Sequence, residues 1–281
     1  MSAPGKASLT GRVEVIASRE SRWLKRFRAA LRGPAPSADE PVAVEGARLV
    51  EDALRAGLGV EAVLLSTAGE RHLDRLRPYL GPAVHVLRTS DRLFAGIADT
   101  QTPQGVAALV RTPRARFDDI VRSRGVVAPL VVVLVGVQDP GNVGTILRAA
   151  EAFGATGAAA ASGTAHHLAP KALRASAGSA LRLPVLHGVP APILLAQLRV
   201  AGLKLYAASP DPSHTPAWAA DLRGPTALLV GNEGAGLPAE VERSADARLR
   251  IPIATGVDSL NAAVAASVLL YEAARQRHGE A

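Results

Sequence analysis

Leu130-Val-Val-Val-Leu-Val-Gly-Val-Gln-Asp-Pro-Gly-Asn-Val-Gly-Thr-Ile-Leu-Arg148 is the stretch from which the rest of the chain can be read. Leu130–Val135 has no polar position, the pattern of a strand buried on both faces of a sheet. A glycine-bearing turn follows, then a helix in which Ile146, Ala150 and Phe153 share one face and Gly154 is a natural stop. Strand, glycines and helix in succession form the general layout of a phosphate-binding turn. Neither standard nucleotide motif fits. A Walker A loop needs Lys and Ser/Thr where this chain has Asn142 and Val143, and Gly136, Gly141 and Gly144 miss the dinucleotide spacing. Asn142 reads as a helix cap. Arg148, about 200° round the helix from Ile146, points off the core.

Downstream, strand candidates at 158–161, 185–186, 203–208 and 227–230 alternate with helices, which predicts a parallel sheet with its ligand site at the carboxyl ends of the strands. Two further loops fall there. Gly231-Asn-Glu-Gly-Ala-Gly-Leu-Pro238 sets a lone carboxylate, Glu233, among three glycines that let the backbone approach a ligand. In Ile251-Pro-Ile-Ala-Thr-Gly-Val-Asp-Ser-Leu-Asn-Ala-Ala-Val-Ala-Ala-Ser-Val-Leu-Leu-Tyr271, a helix is expected from Asp258 or Ser259. Leu260, Val264, Val268 and Tyr271 form its large apolar stripe. A helix apolar all round belongs in a core, an oligomer interface, or both. Ser259 and Asn261 stand at its mouth, where capping is the simplest role.

Upstream, residues 1–41 read as a basic extension. Its helix, 19–32, carries six Arg or Lys beside a Trp23/Phe27/Leu31 stripe, which suits either an RNA-facing or a merely solvated helix. Residues 42–110 read as a small α/β unit, with a helix over Glu45–Leu54, strands at 62–65, 84–87 and 106–110, and a helix over Ser90–Ile97 capped by Ser90. Residues 111–127 hold five arginines and read as a linker. Residues 128–281 form the larger domain.

Of 281 residues, 48% are hydrophobic, enough for a substantial core. The net charge of +7 favours an anionic partner, nucleic acid first. With only 3% aromatics, base stacking on exposed rings is not expected to dominate an RNA contact. The absence of cysteine excludes disulfides, cysteine nucleophiles and thiolate metal sites. His166-His167 is adjacent rather than spaced for one helix face, and no metal is expected. No signal-peptide core opens the chain, and the longest apolar run, 126–137, is too short to span a bilayer. A cytoplasmic protein with no membrane partner is expected.

The three loops, in this order and spacing, resemble the three motifs of the SpoU/TrmH family of SPOUT RNA methyltransferases over residues 129–275. VEGARLVEDALRAG and TQTPQGVAAL resemble the family's small α/β substrate-recognition domain. The resemblance implies a SPOUT parallel sheet with a deep trefoil knot, an exception to the usual absence of knots. It also implies S-adenosyl-L-methionine as cofactor, a homodimer, and methyl transfer to a ribose 2′-hydroxyl, with large-subunit ribosomal RNA as the expected substrate. The alternatives are transfer RNA, an antibiotic-resistance role, and a non-catalytic RNA-binding protein on the same fold. Carried over, Asn142, Arg148, Glu233, Ser259 and Asn261 would be catalytic, with Glu233 holding Arg148. Gly231, Asn232, Gly234, Ile251, Ile253, Ser259 and Leu260 would bind the cofactor.

Overall fold

In the computed structural model, which describes residues 12–32, 40–123, 125 and 127–278, the chain falls into two units, Met1–Pro113 and Arg114–Ala281. The first runs β1 (Arg12–Ile16), α1 (Arg22–Arg32), β2 (Val42–Glu45), α2 (Ala47–Arg55), β3 (Gly59–Ser66), α3 (Leu73–Leu76), β4 (His85–Thr89), α4 (Asp91–Ala95) and β5 (Val106–Arg111). Its sheet has the order β1-β4-β3-β5-β2. Strands β1, β4 and β3 are parallel, and β5 is antiparallel to both β3 and β2.

Residues 12–32, read from sequence as part of an extension, are integral to this unit. β1 pairs along its length with β4, and Trp23, Leu24, Phe27 and Leu31 of α1 enter the core that holds Leu64, Leu87, Phe94 and Leu109. The alternating Val13 and Val15 of β1 are exposed and only Ile16 is buried, so the apolar alternation of the sequence does not mark the core face. The basic face of α1 is partly spent inside the unit. Arg26 pairs with Glu61 and lies over the Trp23 ring at 5.0 Å, and Arg32 donates to the Ala98 carbonyl at 2.6 and 3.0 Å.

The expected helix over Glu45–Leu54 starts two residues later. Glu45 ends β2, and Gly46 turns the chain at φ 105° into α2. The buried Glu45 carboxylate accepts from the Asp99 N–H at 3.0 Å and the Thr100 hydroxyl, while Gln104 accepts from the Ala47 N–H at 2.9 Å. The two segments that carried the family resemblance here are thus bonded to each other. Ser90 caps α4 as expected, accepting from Leu93 N–H at 3.3 Å.

The second unit runs α5 (Phe117–Val121), β6 (Leu130–Leu134), α6 (Pro140–Ala152), β7 (Gly157–Ala161), α7 (Pro170–Ala175), α8 (Ser179–Arg182), β8 (Val185–Val189), α9 (Ala191–Val200), β9 (Lys204–Ala208), β10 (Thr215–Pro216), β11 (Thr226–Val230), α10 (Ala239–Ser244), β12 (Ala247–Arg250) and α11 (Ala262–His278). Its seven strands, in the order β10-β12-β9-β11-β6-β7-β8, are all parallel. Every residue of β6 and β11 is buried, which explains a sequence that is apolar throughout except for Thr226. The expected linker is shorter than 111–127. Arg111 closes β5, and α5 places Ile120 in the second core, its carbonyl accepting from Thr156 Oγ1 at 2.7 Å. One buried residue among arginines gives no periodic signal.

The last helix is held by a cation. The half-buried Arg277 guanidinium donates to the carbonyls of Ala128 (2.7 Å), Leu222 (2.9 Å), Gly224 (2.6 Å) and Pro129 (3.3 Å), tying α11 to the chain entering β6 and β11. Among the described residues, no helix is long and apolar enough to cross a membrane.

Candidate active site

The site lies at the carboxyl ends of β6 and β11, where parallel sheets place ligands. After β6, Asp139 rather than Asn142 caps α6, accepting from Gly141 N–H at 2.9 Å, with Pro140 at the first helical position. Lys171 of α7 pairs with the same carboxylate at 2.6 Å, and together these bonds hold the Asp139 carboxyl below its ordinary range. Asn142 is relieved of capping, so its side chain is available to reach out of the first turn.

It reaches the second loop. Asn142 Nδ2 donates to Glu233 Oε1 at 2.8 Å, and Asn142 Oδ1 accepts from Asn261 Nδ2 at 3.2 Å. The Gln138 and Asp139 N–H groups also face the Glu233 carboxylate, at 3.4 Å each. Burial works against the charge on Glu233, but the bonds from Asn142 and the backbone outweigh it and hold the carboxyl below its usual range. Three loops, the first of them 91 residues from Glu233 and 119 from Asn261, therefore close on one polarised chain, Asn261 to Asn142 to Glu233.

The second loop is built to stay folded. Asn232 and Gly236 exchange backbone hydrogen bonds at 2.9 and 3.0 Å, and Asn232 Oδ1 accepts from the Gly234 and Ala235 N–H groups at 2.9 and 3.0 Å. Asn232 Nδ2 donates to the Gly136 carbonyl at 2.9 Å, fastening this loop to the first. With its side-chain amide and its backbone N–H and carbonyl all engaged within the protein, Asn232 shapes the loop that lines the expected cofactor site. Gly231 is required by proximity: a Cβ there would lie 2.3 Å from the Gly236 carbonyl carbon.

Behind this ring is a cavity of about 300 Å³, and Gly231, Asn232, Gly234, Ile251, Ile253, Ser259 and Leu260, all seven expected cofactor positions, line it. Leu237, Leu249 and Leu269 add apolar wall, and Glu233 and Glu242 add carboxylates. Ser209 and Glu242 were not anticipated, although the place of Ser209 just past the carboxyl end of β9 was a usable signal.

Two expectations differ at the third loop and on α6. The last helix begins at Ala262, not Asp258 or Ser259. Asn261 caps it, accepting from Ala263 N–H at 2.8 Å, which leaves Ser259 on the cavity wall. Its buried face is made of alanines with Leu269 and Leu270, whereas Val264, Val268 and Tyr271 are 49%, 38% and 54% exposed. Arg148 is exposed as read, but no contact joins it to Glu233. Among the described residues it makes no hydrogen bond or ion pair, and Glu233 is engaged by Asn142 instead.

Comparison with known proteins adds two family matches, the SpoU rRNA Methylase family over residues 129–271 and the MRM3-like substrate binding domain over residues 38–108. An uncharacterised tRNA/rRNA methyltransferase of Synechocystis sp. is 35% identical over 96% of this chain and 96% of its own. The 23S rRNA (guanosine(2553)-2′-O)-methyltransferase RlmP of Bacillus subtilis is 32% identical over 81% of this chain and 86% of its own. The AdoMet-bound rRNA methyltransferase from Sinorhizobium meliloti superposes with a TM-score of 0.78 at 30% identity, covering 94% of this chain and 98% of that one.

Proposed function

The chain belongs to the SpoU rRNA methylase family, and from that membership we propose that it transfers the methyl group of S-adenosyl-L-methionine to a ribose 2′-hydroxyl of large-subunit ribosomal RNA. The observation that carries the reading is the Asn261–Asn142–Glu233 chain at the rim of a cavity shaped for a small molecule. The cavity fits the cofactor. Its volume is at the low end of the usual range of about 300–1,000 Å³, its Leu and Ile walls suit an adenine ring, and the Glu242 carboxylate suits a sulfonium cation.

When bound, the cofactor supplies an already electrophilic methyl group, so the protein's work is alignment and charge. Asn142 has a second N–H beyond the one given to Glu233, and it can hold the substrate hydroxyl oxygen. The anionic Glu233 fixes which way that amide faces. Ser259, on the cavity wall, offers a second polar contact to the hydroxyl. Arg148 binds the phosphate beside the target ribose through its planar fork of donors and stabilises the developing alkoxide.

The reading includes four further parts. The matched substrate-binding domain supports RNA recognition by the first unit. The outward Val264, Val268 and Tyr271 of α11 support a homodimer through that helix. The knot implied by the family is supported by the course of the C-terminal segment, which lays β12 beside β9 and returns α11 against α6. A ribosomal RNA substrate also implies a cytoplasmic setting.

The test is radiolabelled methyl transfer to unmodified ribosomal RNA and, separately, to transfer RNA, with the Asn142→Ala, Arg148→Ala double variant as control. Label in ribosomal RNA that vanishes in the variant is expected. Label in transfer RNA alone overturns the substrate, and label in neither, with cofactor binding intact, overturns the activity on free RNA.

A further inference from the structure

We propose that His166, His167 and His187 form a binding site for a divalent transition-metal ion, with Zn²⁺ the best match to an all-imidazole ligand set. The inference is independent of the methyl-transfer reading. In sequence the adjacent pair carried no such signal, because two neighbouring histidines do not share a face. The fold supplies the third ring from another strand.

His166 and His167 lie in the loop after β7, and β8 brings His187 alongside. The β7–β8 register places His187 opposite Ala160 and then slips by one residue at Gly188, whose φ is 83°. Bulges are rare in parallel pairs, and they re-aim the side chain beside them. Ser162 clamps the bulge, its hydroxyl donating to the Gly188 carbonyl at 2.8 Å and its N–H to the Val189 carbonyl at 3.0 Å.

The three rings converge as a result. His166 and His167 stack with centroids 4.8 Å apart, and His187 lies 4.2 Å from His166 and 5.6 Å from His167. One ring nitrogen from each lies within 4.8 Å of the other two. The ligating nitrogens of imidazoles bound at about 2.0–2.1 Å around a tetrahedral ion sit about 3.3 Å apart, so small ring rotations close the set.

A second observation points to a ligand. The Nδ1 atoms of His167 and His187 are buried and have no hydrogen-bond partner, and His167 as a whole is only 9% exposed. Buried polar atoms are nearly always paired, and two orphans in one cluster imply a partner that the protein alone does not supply. His166 is the weakest of the three, because its Nδ1 already accepts from the Leu168 N–H at 3.1 Å. A neutral imidazole has one lone-pair nitrogen, so His166 must exchange that bond for the ion.

The consequence is local order. Ala165 N–H donates to the Val137 carbonyl at 2.8 Å, and Thr164 Oγ1 accepts from Gly136 N–H at 3.1 Å while donating to the Leu134 carbonyl at 3.0 Å. An ion in the histidine cluster therefore pins the loop that braces the first motif.

The experiment uses tag-free full-length protein, stripped with chelator and titrated with Zn²⁺ against a chromophoric chelator, together with thermal melts. One Zn²⁺ per chain is expected, with binding weakened at least tenfold in His167→Ala and His187→Ala but unchanged in His278→Ala. Added Zn²⁺ should raise the Tm of the wild type and not of the two variants. Should either variant fail to fold by circular dichroism, Co²⁺ in the wild type gives the answer: intense tetrahedral visible bands support the site. Sub-stoichiometric Zn²⁺, unchanged affinity in folded variants, or only the faint spectrum of octahedral Co²⁺ overturns it.

Discussion

The Asn142 side-chain amide donates to the Glu233 carboxylate at 2.8 Å, joining two loops 91 residues apart. That bond determines which way the amide faces and where the acid points. Asn142→Ala removes the donor aimed at the substrate hydroxyl, and kcat should fall by about 10²-fold, the usual cost of one such donor. Glu233→Gln keeps the shape but loses the charge and should cost about tenfold. Cofactor affinity by calorimetry should stay within about threefold in both, because the contact is made in the transition state. A matching loss of cofactor affinity would make the pair part of the cofactor site only.

Arg148 is exposed and, among the described residues, unpartnered, so its removal disturbs no internal contact. Arg148→Ala should abolish methyl transfer, by about 10²-fold or more, with Tm unchanged. Arg148→Lys should restore little, since a point charge lacks the planar fork that holds a phosphate. Full activity in the lysine variant would leave only a general electrostatic role.

Gly231 has no room for a side chain, its added Cβ lying 2.3 Å from the Gly236 carbonyl carbon. The contact is backbone, which cannot rotate away. Gly231→Ala should destabilise by about 1–3 kcal/mol, a Tm loss of several degrees, and should lose cofactor binding because the 231–238 loop opens. A variant with wild-type Tm and affinity would show that the loop yields.

Val264, Val268 and Tyr271 are exposed along α11. Val268→Asp costs little if that face meets water. If it meets a second copy, burying the charge should weaken the dimer by about 2 kcal/mol or more, seen as monomer by sedimentation at micromolar concentration. A wild-type monomer, or a dimer that ignores the aspartate, removes α11 from the interface.

Burial first, then repulsion from His187, lowers His166 to about 4. Burial, then its two neighbours, lowers His167 to about 3. His187 is lowered by burial as well. Between about pH 6.5 and 4 the unfolded chain binds protons that the folded chain does not, so metal-free protein should lose stability as pH falls through that window. For His167 alone the slope is at most about 1.4 kcal/mol per pH unit. Melts of wild type and His167→Phe from pH 7.5 to 4.5 test this; parallel curves would remove the histidine from the acid response.

Five of the seven strands of the second unit were legible, the clearest because burial on both faces writes itself into unbroken apolar runs such as Leu130–Leu134 and residues 227–230, whereas the short β10 and the charged β12 carry no such run. β1 was not legible, since its alternating valines, Val13 and Val15, are exposed and only Ile16 is buried; nor was α5, since it buries Ile120 alone and one residue has no period. The N-terminal boundary of α11 was misplaced for a related reason. Asp258, Ser259 and Asn261 are all good caps, and only the Ala263 N–H bond selects Asn261.

The sequence by itself determined which residues could do chemistry: the amide, the arginine, the acid and the small residues that allow close approach. It also determined the order of the loops that carry them, because residue type and local spacing are properties of the chain. The tertiary structure decided the partners. It gave Glu233 to Asn142 rather than Arg148, gave the cap of α6 to Asp139, turned Val264, Val268 and Tyr271 outward, and brought His187 to His166 and His167. Each of these depends on a distance between residues far apart in sequence, and such distances exist only once the sheet has set the register of its strands.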